Sequence, residues 1–465
     1  MIVWLILIGM VSGVFVVTSP GTLVMLAIVG WLLVWLRRRL PEDGVYVSWL
    51  IGIGFVTRAV LAFLLLFAFT ATHPVGQPHA TSLPPIQRYY EYRGYSVPDI
   101  LGESDSAFYS LQGLWLAQGV ARSHPNEADQ RWLRRVLGDP LTRSYHVYLI
   151  GAYHYVFGFS PYSVLLLNGL IGTFGGLLVY LFSRHLFDRS TARLAGLLAM
   201  FWPSLMFWSL TNLKDPSVIL AILVFCWALS SWFKYRKWRY MLIGVLAGCA
   251  QVIVRKELFV VVIPLLALSV SYRFFQGRNT SWGRRVAGIT VILIVVLQLL
   301  SNGQFIRGPL DRLLESMVRL HLGNQQGWAY QYLDDQYYLP TAADVKQLND
   351  LERLKTVGRA WMHFLFEPFP QRLDTMQHVF LYPQALLWYG CVIFALFGMI
   401  VSWHALPRGG LFLCLVYLVG FGSLVALASG NIGTVFRHRD MFSPMYLSFV
   451  AAWFSRLNQR VLSLK

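Results

Sequence analysis

Eight charged residues stand where an apolar chain has least reason to keep them. Lys214-Asp215, Arg255-Lys256-Glu257 and Arg437-His438-Arg439-Asp440 each fall in a short connection between long apolar runs. A further pair of carboxylates, Glu103 and Asp105, flanks Ser104 just ahead of a stretch with helical periodicity. These types suggest one chemistry. A carboxylate takes a proton from an incoming nucleophile, while Lys and Arg stabilise charge that builds on a departing phosphate. The substrate that needs both at a membrane border carries its phosphate at headgroup depth with the reacting centre beside it, and a lipid-linked sugar phosphate has that geometry. The Glu103-x-Asp105 pair could also bind a divalent ion.

The elements that must position these groups follow from pattern. After Asp105, the residues Ala107, Phe108, Leu111, Leu114 and Trp115 recur at helical spacing as far as Ala117, and Gly119 supplies a stop. This predicts an amphipathic helix lying along the outer interface. Its N-cap would be Ser104 or Asp105, so capping is the competing role for Asp105. For the cationic turns the competing role is interfacial snorkelling or pairing with the adjacent acid. Three such turns on one face favour a shared function.

The rest of the chain explains why these charges stand out. Of 465 residues, 56% are hydrophobic, 15% aromatic and only 13% charged, and the mean hydropathy is +0.53. This excludes a soluble enzyme, a disordered chain and a disulfide scaffold. About twelve apolar runs are candidate spans: two within 1–36, separated by Ser19-Pro20-Gly21, then 45–72, 161–183, 190–211, 216–233, 240–254, 258–272, 286–302, 379–403, 410–429 and 441–455. The run at 145–158 is too short to span and reads as interfacial or re-entrant. With the N-terminus in the cytoplasm, the inner connections hold 17 cations against 3 acids, as the positive-inside rule requires. The outer loops are balanced, with 7 of each sign over 73–144 and 8 cations to 9 acids over 303–378. Topology thus accounts for most of the net charge of +17, and nucleic acid is not needed as a partner. Cys226, Cys249, Cys391 and Cys414 stand singly in apolar runs and read as small core residues, without disulfides or metal.

The expected architecture is an all-α polytopic membrane protein. Its parts are N-terminal spans over 1–72, a first outer loop over 73–160 with the carboxylates, central spans over 161–302, a second outer loop over 303–378 and C-terminal spans over 379–465. The second loop shows amphipathic pattern at 309–321 and 345–364. Its aromatic stretch from Trp328 to Tyr338 reads as packing onto the membrane domain more readily than as sugar stacking, and Asp334-Asp335 as a solvated turn. Arg58 and Arg193 receive no role. No nucleotide-binding or metalloprotease motif occurs.

Several motifs together resemble a known group: Asp105-Ser106-Ala107-Phe108-Tyr109 with Gly119, the Tyr- and Gly-rich 145–158, Pro161 to Asn168, Phe201-Trp202-Pro203 to Lys214-Asp215, and Arg437-x-Arg439 with Pro444. They resemble the GT-C superfamily of polytopic glycosyltransferases, and within it the bacterial relatives of protein O-mannosyltransferases and the lipid A aminoarabinose transferase. The resemblance covers roughly 45–270 and the last helices. It implies a polyprenyl-phosphate sugar donor, an inverting hexosyl or pentosyl transfer on the extracytoplasmic face of a bacterial-type inner membrane, and a first-loop carboxylate as base. Asp105 matches that carboxylate. The group often has adjacent Asp and Glu, whereas Ser104 intervenes here, leaving the choice between Asp105 and Glu103 open. The donor phosphate would meet Lys214, Arg255, Lys256, Arg437 and Arg439, supported by Asp215 and Glu257. The acceptor would be a glycan, lipid or protein. Two extra helices precede the group's first, and no C-terminal soluble module is expected. The rival readings are a polysaccharide polymerase or ligase with a diphosphate-linked donor, a transporter or flippase of anionic lipid-linked glycans, and a scaffold.

Overall fold

The computed structural model describes residues 20–40, 42–72, 145–158, 160–254, 350–369, 376–404, 417–430 and 432–463, with short pieces or single residues within 109–117, 258–270, 312–315 and 406–414. Among the described residues the regular structure is helical throughout, with no strand. Five helices there are long and apolar enough to cross a membrane: Pro20–Arg39, Gly44–Leu65, Tyr162–Leu186, Asp215–Tyr235 and Tyr382–Ser402. The expected runs at 1–18 and 286–302 lie outside the described residues.

The chain divides into two compact units, one of Met1–Leu178, Gly196–Ala221 and Ile253–Lys256, the other of Val179–Ala195, Ile222–Val252 and Glu257–Lys465. In the first, α1 (Pro20–Arg39) and α2 (Gly44–Thr72) are followed by α3 (His146–Phe157) and the start of α4 (Pro161–Leu186). On α2, Val45, Trp49, Ile53, Val56, Val60 and Leu64 are exposed, while Val47, Ile51, Phe55, Ala59 and Ala62 are buried. Both faces are apolar at helical spacing, so the inner one packs and the outer one needs lipid as its solvent. The core joins Met25 and Val29 of α1, Phe55 and Ala59 of α2, Ile150 of α3 and Leu166 and Leu170 of α4. Thr22 and Ser163 share a 2.8 Å hydrogen bond, and the Tyr162 hydroxyl donates to the Ala59 carbonyl at 3.0 Å. Gly158 ends α3 with φ +80°, a left-handed conformation that glycine adopts without steric cost.

The expected span at 190–211 is not one helix. It forms α5 (Arg189–Phe201) and the six-residue α6 (Pro203–Trp208). The cause is local: Pro203 has no N–H to continue α5 and forces Trp202 into an extended conformation, with ψ 122°. Asp188 caps α5, accepting from the Thr191 backbone N–H at 2.9 Å. The chain continues as α7 (Asp215–Tyr235) and α8 (Trp238–Val254).

In the second unit, α9 (Asp350–Phe366) carries the amphipathic pattern expected over 345–364, of which 345–349 lie outside the described residues. Then come α10 (Met376–Ser402), a π-helical turn at Tyr417–Phe421 running into α11 (Gly422–Ala428), α12 (Ile432–Arg439) and α13 (Ser443–Ser463). The apolar helical run Tyr417–Ala428 lies within the expected span at 410–429. Helix α10 packs along α13, with Trp388 edge-on to Tyr446 at 5.3 Å and Gly398 against the Phe449 carbonyl. Ser183 of α4 donates to Ser448 of α13 at 2.9 Å. All four cysteines are free; Cys226, Cys391 and Cys414 are buried as expected, but Cys249 is exposed rather than part of a core.

Candidate functional site

The Lys214-Asp215 turn in the first unit is built from its neighbours upward. Arg58, 1% exposed, reaches from α2 to the break after α5. Its Nη2 donates to the Met200 carbonyl at 2.9 Å and its Nε to Ser209 Oγ at 2.9 Å. Met200 lies in the last turn of α5, where carbonyls lack intrahelical partners, so the guanidinium satisfies a group the proline break has orphaned. Close approach is needed here: a Cβ on Gly172 would come 2.7 Å from Ser209 Cβ and 3.2 Å from Arg58 Nε. Arg58, given no role from sequence, is therefore a structural cation. A charged residue inside an otherwise apolar run was its one signal.

Two asparagines then fix the turn. Asn168 of α4 donates through Nδ2 to the carbonyls of Thr211, at 2.6 Å, and Leu213, at 3.2 Å. Asn212 donates to Ser110 Oγ at 2.7 Å and accepts at Oδ1 from His146 Nε2 at 3.0 Å. Ser110 belongs to the first-loop helix, of which positions within 109–117 are described. Tyr109 sits edge-on to His146 at 5.4 Å and clusters with Val147 and Leu213. Desolvation pushes His146 down to about 4, with the Asn212 hydrogen bond and Asp215 opposing and Lys214 reinforcing the shift. The imidazole is thus neutral near pH 7. Beyond it, Lys214 is half-buried, and the carboxyl of the fully buried Asp215 stands at the α7 N-terminus, where the helix dipole favours negative charge.

In the second unit, Arg437-His438-Arg439-Asp440 is not an exposed turn. Arg437 to Arg439 form the last turn of α12, and His438, Arg439 and Asp440 are buried. Arg439 donates through Nε to the Phe364 carbonyl at 2.6 Å and through Nη2 to the Glu367 carbonyl at 2.5 Å. Its guanidinium also lies 5.4 Å from the ring centres of Trp388 and Phe436. The other last-turn carbonyls of α9 are met as well: His363 by the Glu367 N–H, Leu365 by Trp388 Nε1 at 3.0 Å and Phe366 by the Tyr389 hydroxyl at 2.8 Å. Every carbonyl that α9 leaves open at its C-terminus has a donor. His363 pairs with the fully buried Glu367 at 3.0 Å, and Glu367 Oε2 accepts from the Phe369 N–H. Sequence reading passed over this pair, though the i, i+4 spacing was its signal. Arg437 remains half-buried.

Of the predicted site residues, Glu103, Asp105, Arg255, Lys256 and Glu257 lie outside the described residues. Among the described residues no three His, Cys, Asp or Glu side chains gather to hold a metal ion; the pair expected to be able to bind one is Glu103 and Asp105.

The archaeal oligosaccharyltransferase AglB from Archaeoglobus fulgidus, solved in complex with an inhibitory peptide and a dolichol-phosphate, aligns with 87% of this chain at 14% identity and a TM-score of 0.42. The chain spans 50% of that protein's length. No protein of curated function matches the chain. Residues 145–301, from α3 through the Lys214 turn and beyond α8, match the family described as dolichyl-phosphate-mannose-protein mannosyltransferase, so over this stretch the chain is similar to the GT-C type membrane glycosyltransferases that draw on lipid-linked sugars.

Proposed function

We propose that this chain transfers a sugar from a polyprenyl-phosphate donor to an acceptor hydroxyl of a glycan, lipid or protein. The observation that carries the reading is the family match over 145–301, because that stretch contains the Lys214-Asp215 turn and the helices that hold it. The matched family's description names a dolichyl-phosphate sugar, which belongs to the donor class read from the residues. The acceptor hydroxyl attacks the anomeric carbon from the face opposite the phosphate, and Asp105 takes the hydroxyl proton. The bond from the anomeric carbon to the phosphate oxygen breaks, and its electron pair leaves with the lipid phosphate. The configuration inverts. The leaving group gains negative charge as it departs, which is the moment at which Lys214, Arg255, Lys256 and Arg437 lower the barrier. Arg439, whose donors face the end of α9, contributes by holding the Arg437 turn in place, while Asp215 and Glu257 orient the neighbouring cations. Glu103 orients or tunes Asp105.

Both termini face the cytoplasm of a bacterial-type inner membrane, and the reaction takes place on the opposite face.

The test is transfer by the purified chain in lipid nanodiscs, using a panel of polyprenyl-phosphate and polyprenyl-diphosphate sugars. The expected result is release of polyprenyl phosphate with an inverted product. Transfer from diphosphate donors alone would support the polymerase or ligase reading, and no transfer from any donor would overturn both. A reporter fused after Gly119 is expected to be active only as an extracytoplasmic fusion; cytoplasmic behaviour there removes the donor geometry.

A further inference from the structure

The connection between α7 and α8, in the second unit, reads Lys234-Tyr235-Arg236-Lys237-Trp238-Arg239-Tyr240 and joins two apolar helices, so it lies at a membrane border. Between Asp215 and Glu257 it holds four cations, and no acid occurs. Every residue from Lys234 to Arg239 is exposed, Trp238 by 72% and Tyr235 by 45%.

The turn is built rather than merely charged. Arg236 adopts φ 60°, an uncommon left-handed conformation for a side-chain-bearing residue, and its N–H closes α7 on the Trp232 carbonyl at 3.0 Å. Beneath the cations lies an aromatic floor. Tyr235 and Tyr240 are 5.7 Å apart, Trp227 meets Tyr240 at 5.8 Å, and His185 sits between Trp227 and Tyr235 at 6.2 and 5.5 Å. His185 is itself held by Ser231 at 3.1 Å. Lys234 lies over the Tyr235 ring at 5.6 Å and Arg239 over Tyr240 at 5.0 Å, which orients their charges. Topology alone would need only the cations. The addition of exposed Trp and Tyr among them, on a packed aromatic base, matches the chemistry of a phosphate headgroup and the ester layer beneath it.

We propose that this turn is a binding surface for anionic phospholipid headgroups, with Arg236 and Lys237 contacting phosphate and Trp238 and Tyr235 seated at the level of the glycerol esters. Charge complementarity argues for the occupant. The surface uses none of the residues assigned to the sugar donor, so it stands or falls independently of the transferase reading.

The test is a titration of the full chain, purified in neutral detergent, with phosphatidylglycerol or phosphatidylcholine while the thermal midpoint is followed. Phosphatidylglycerol is expected to raise the midpoint further than phosphatidylcholine, and high salt to shrink the difference. The R236Q/K237Q variant should bind phosphatidylglycerol about fivefold more weakly for each cation removed. Should that variant fail to fold, K237Q alone and the salt titration of the unaltered chain give the same reading. Equal shifts from both lipids, or a phosphatidylglycerol effect that survives the substitution, would overturn the proposal.

Discussion

The Lys214 turn of the first unit and the Arg439 turn of the second are held by different donors, neutral amides in one and a guanidinium in the other. At the Lys214 turn neutral side chains do the holding: Asn168 and Asn212 fix the turn that presents Lys214, and Lys214 is what is held. In the second unit Arg439 does the holding, with two of its nitrogens on carbonyls at the end of α9. Arg58 repeats that arrangement beside the break after α5. A helix C-terminus offers orphaned carbonyls and a negative dipole end, and a guanidinium satisfies both at once. Position at the membrane border therefore does not by itself make a cation a substrate ligand. Where its donors point separates a binding residue from a structural one.

Substitutions at these residues should separate binding cations from structural ones. The largest effect is expected at Asp105, the proposed base. Asp105→Asn should lower turnover about 10²–10⁴-fold with normal expression and donor binding, because it keeps the size and capping ability while removing basicity. Glu103→Gln should cost less. A collapse in the Glu103 variant with a normal Asp105 variant would exchange their roles.

Arg439→Gln is expected to show its effect as instability. Two buried carbonyls lose their donors, a cost of about 3 kcal/mol that a lowered thermal midpoint would report. Lys214→Ala should leave the midpoint near that of the unaltered chain and weaken donor affinity about 10–150-fold, the scale of a charge-assisted contact of roughly 1.5–3 kcal/mol. Arg437→Gln should resemble Lys214→Ala. If Lys214→Ala unfolds the chain while Arg439→Gln only weakens donor affinity, the contrast between the units is reversed.

The last effect concerns pH. Burial holds His146 at about 4 in the folded chain, against 6.5 for an ordinary histidine. Between these values the unfolded chain binds a proton that the folded one refuses. Stability is therefore complete above pH 6.5 and falls as the pH drops toward 4, by up to about 1.4 kcal/mol per pH unit. Hydrogen exchange over 109–117 should quicken across this window, and a His146→Gln variant should lose that pH dependence. An unchanged slope would mean that His146 does not couple the first-loop helix to the Lys214 turn.

Much of the architecture was legible in the chain itself. The spans at α1, α2, α4, α7 and α10 follow from apolar runs long enough to cross a bilayer, and the short helix α3 follows from a run too short to do so. Pro203 was equally visible, yet the run at 190–211 looked continuous because hydropathy averages over a window and one residue's missing N–H hardly changes it. The buried hub around Glu367 escaped notice for a different reason. Its partners come from α9, α10 and α12, dispersed along the sequence, and no local pattern joins them.

Composition, periodicity and charge asymmetry by themselves determined that this is a helical membrane protein, and which residue types could meet a lipid-linked phosphate. Those properties are sums over short windows, and short windows are what a bilayer reads. Only tertiary contacts distinguish one such cation from another. Lys214 and Arg439 look alike in sequence, each beside an acid at a helix end. They differ in what holds their turns: the Arg439 guanidinium itself donates to carbonyls 75 and 72 residues away, whereas at Lys214 the Asn168 amide donates to the Thr211 and Leu213 carbonyls and the Asn212 amide to Ser110 Oγ.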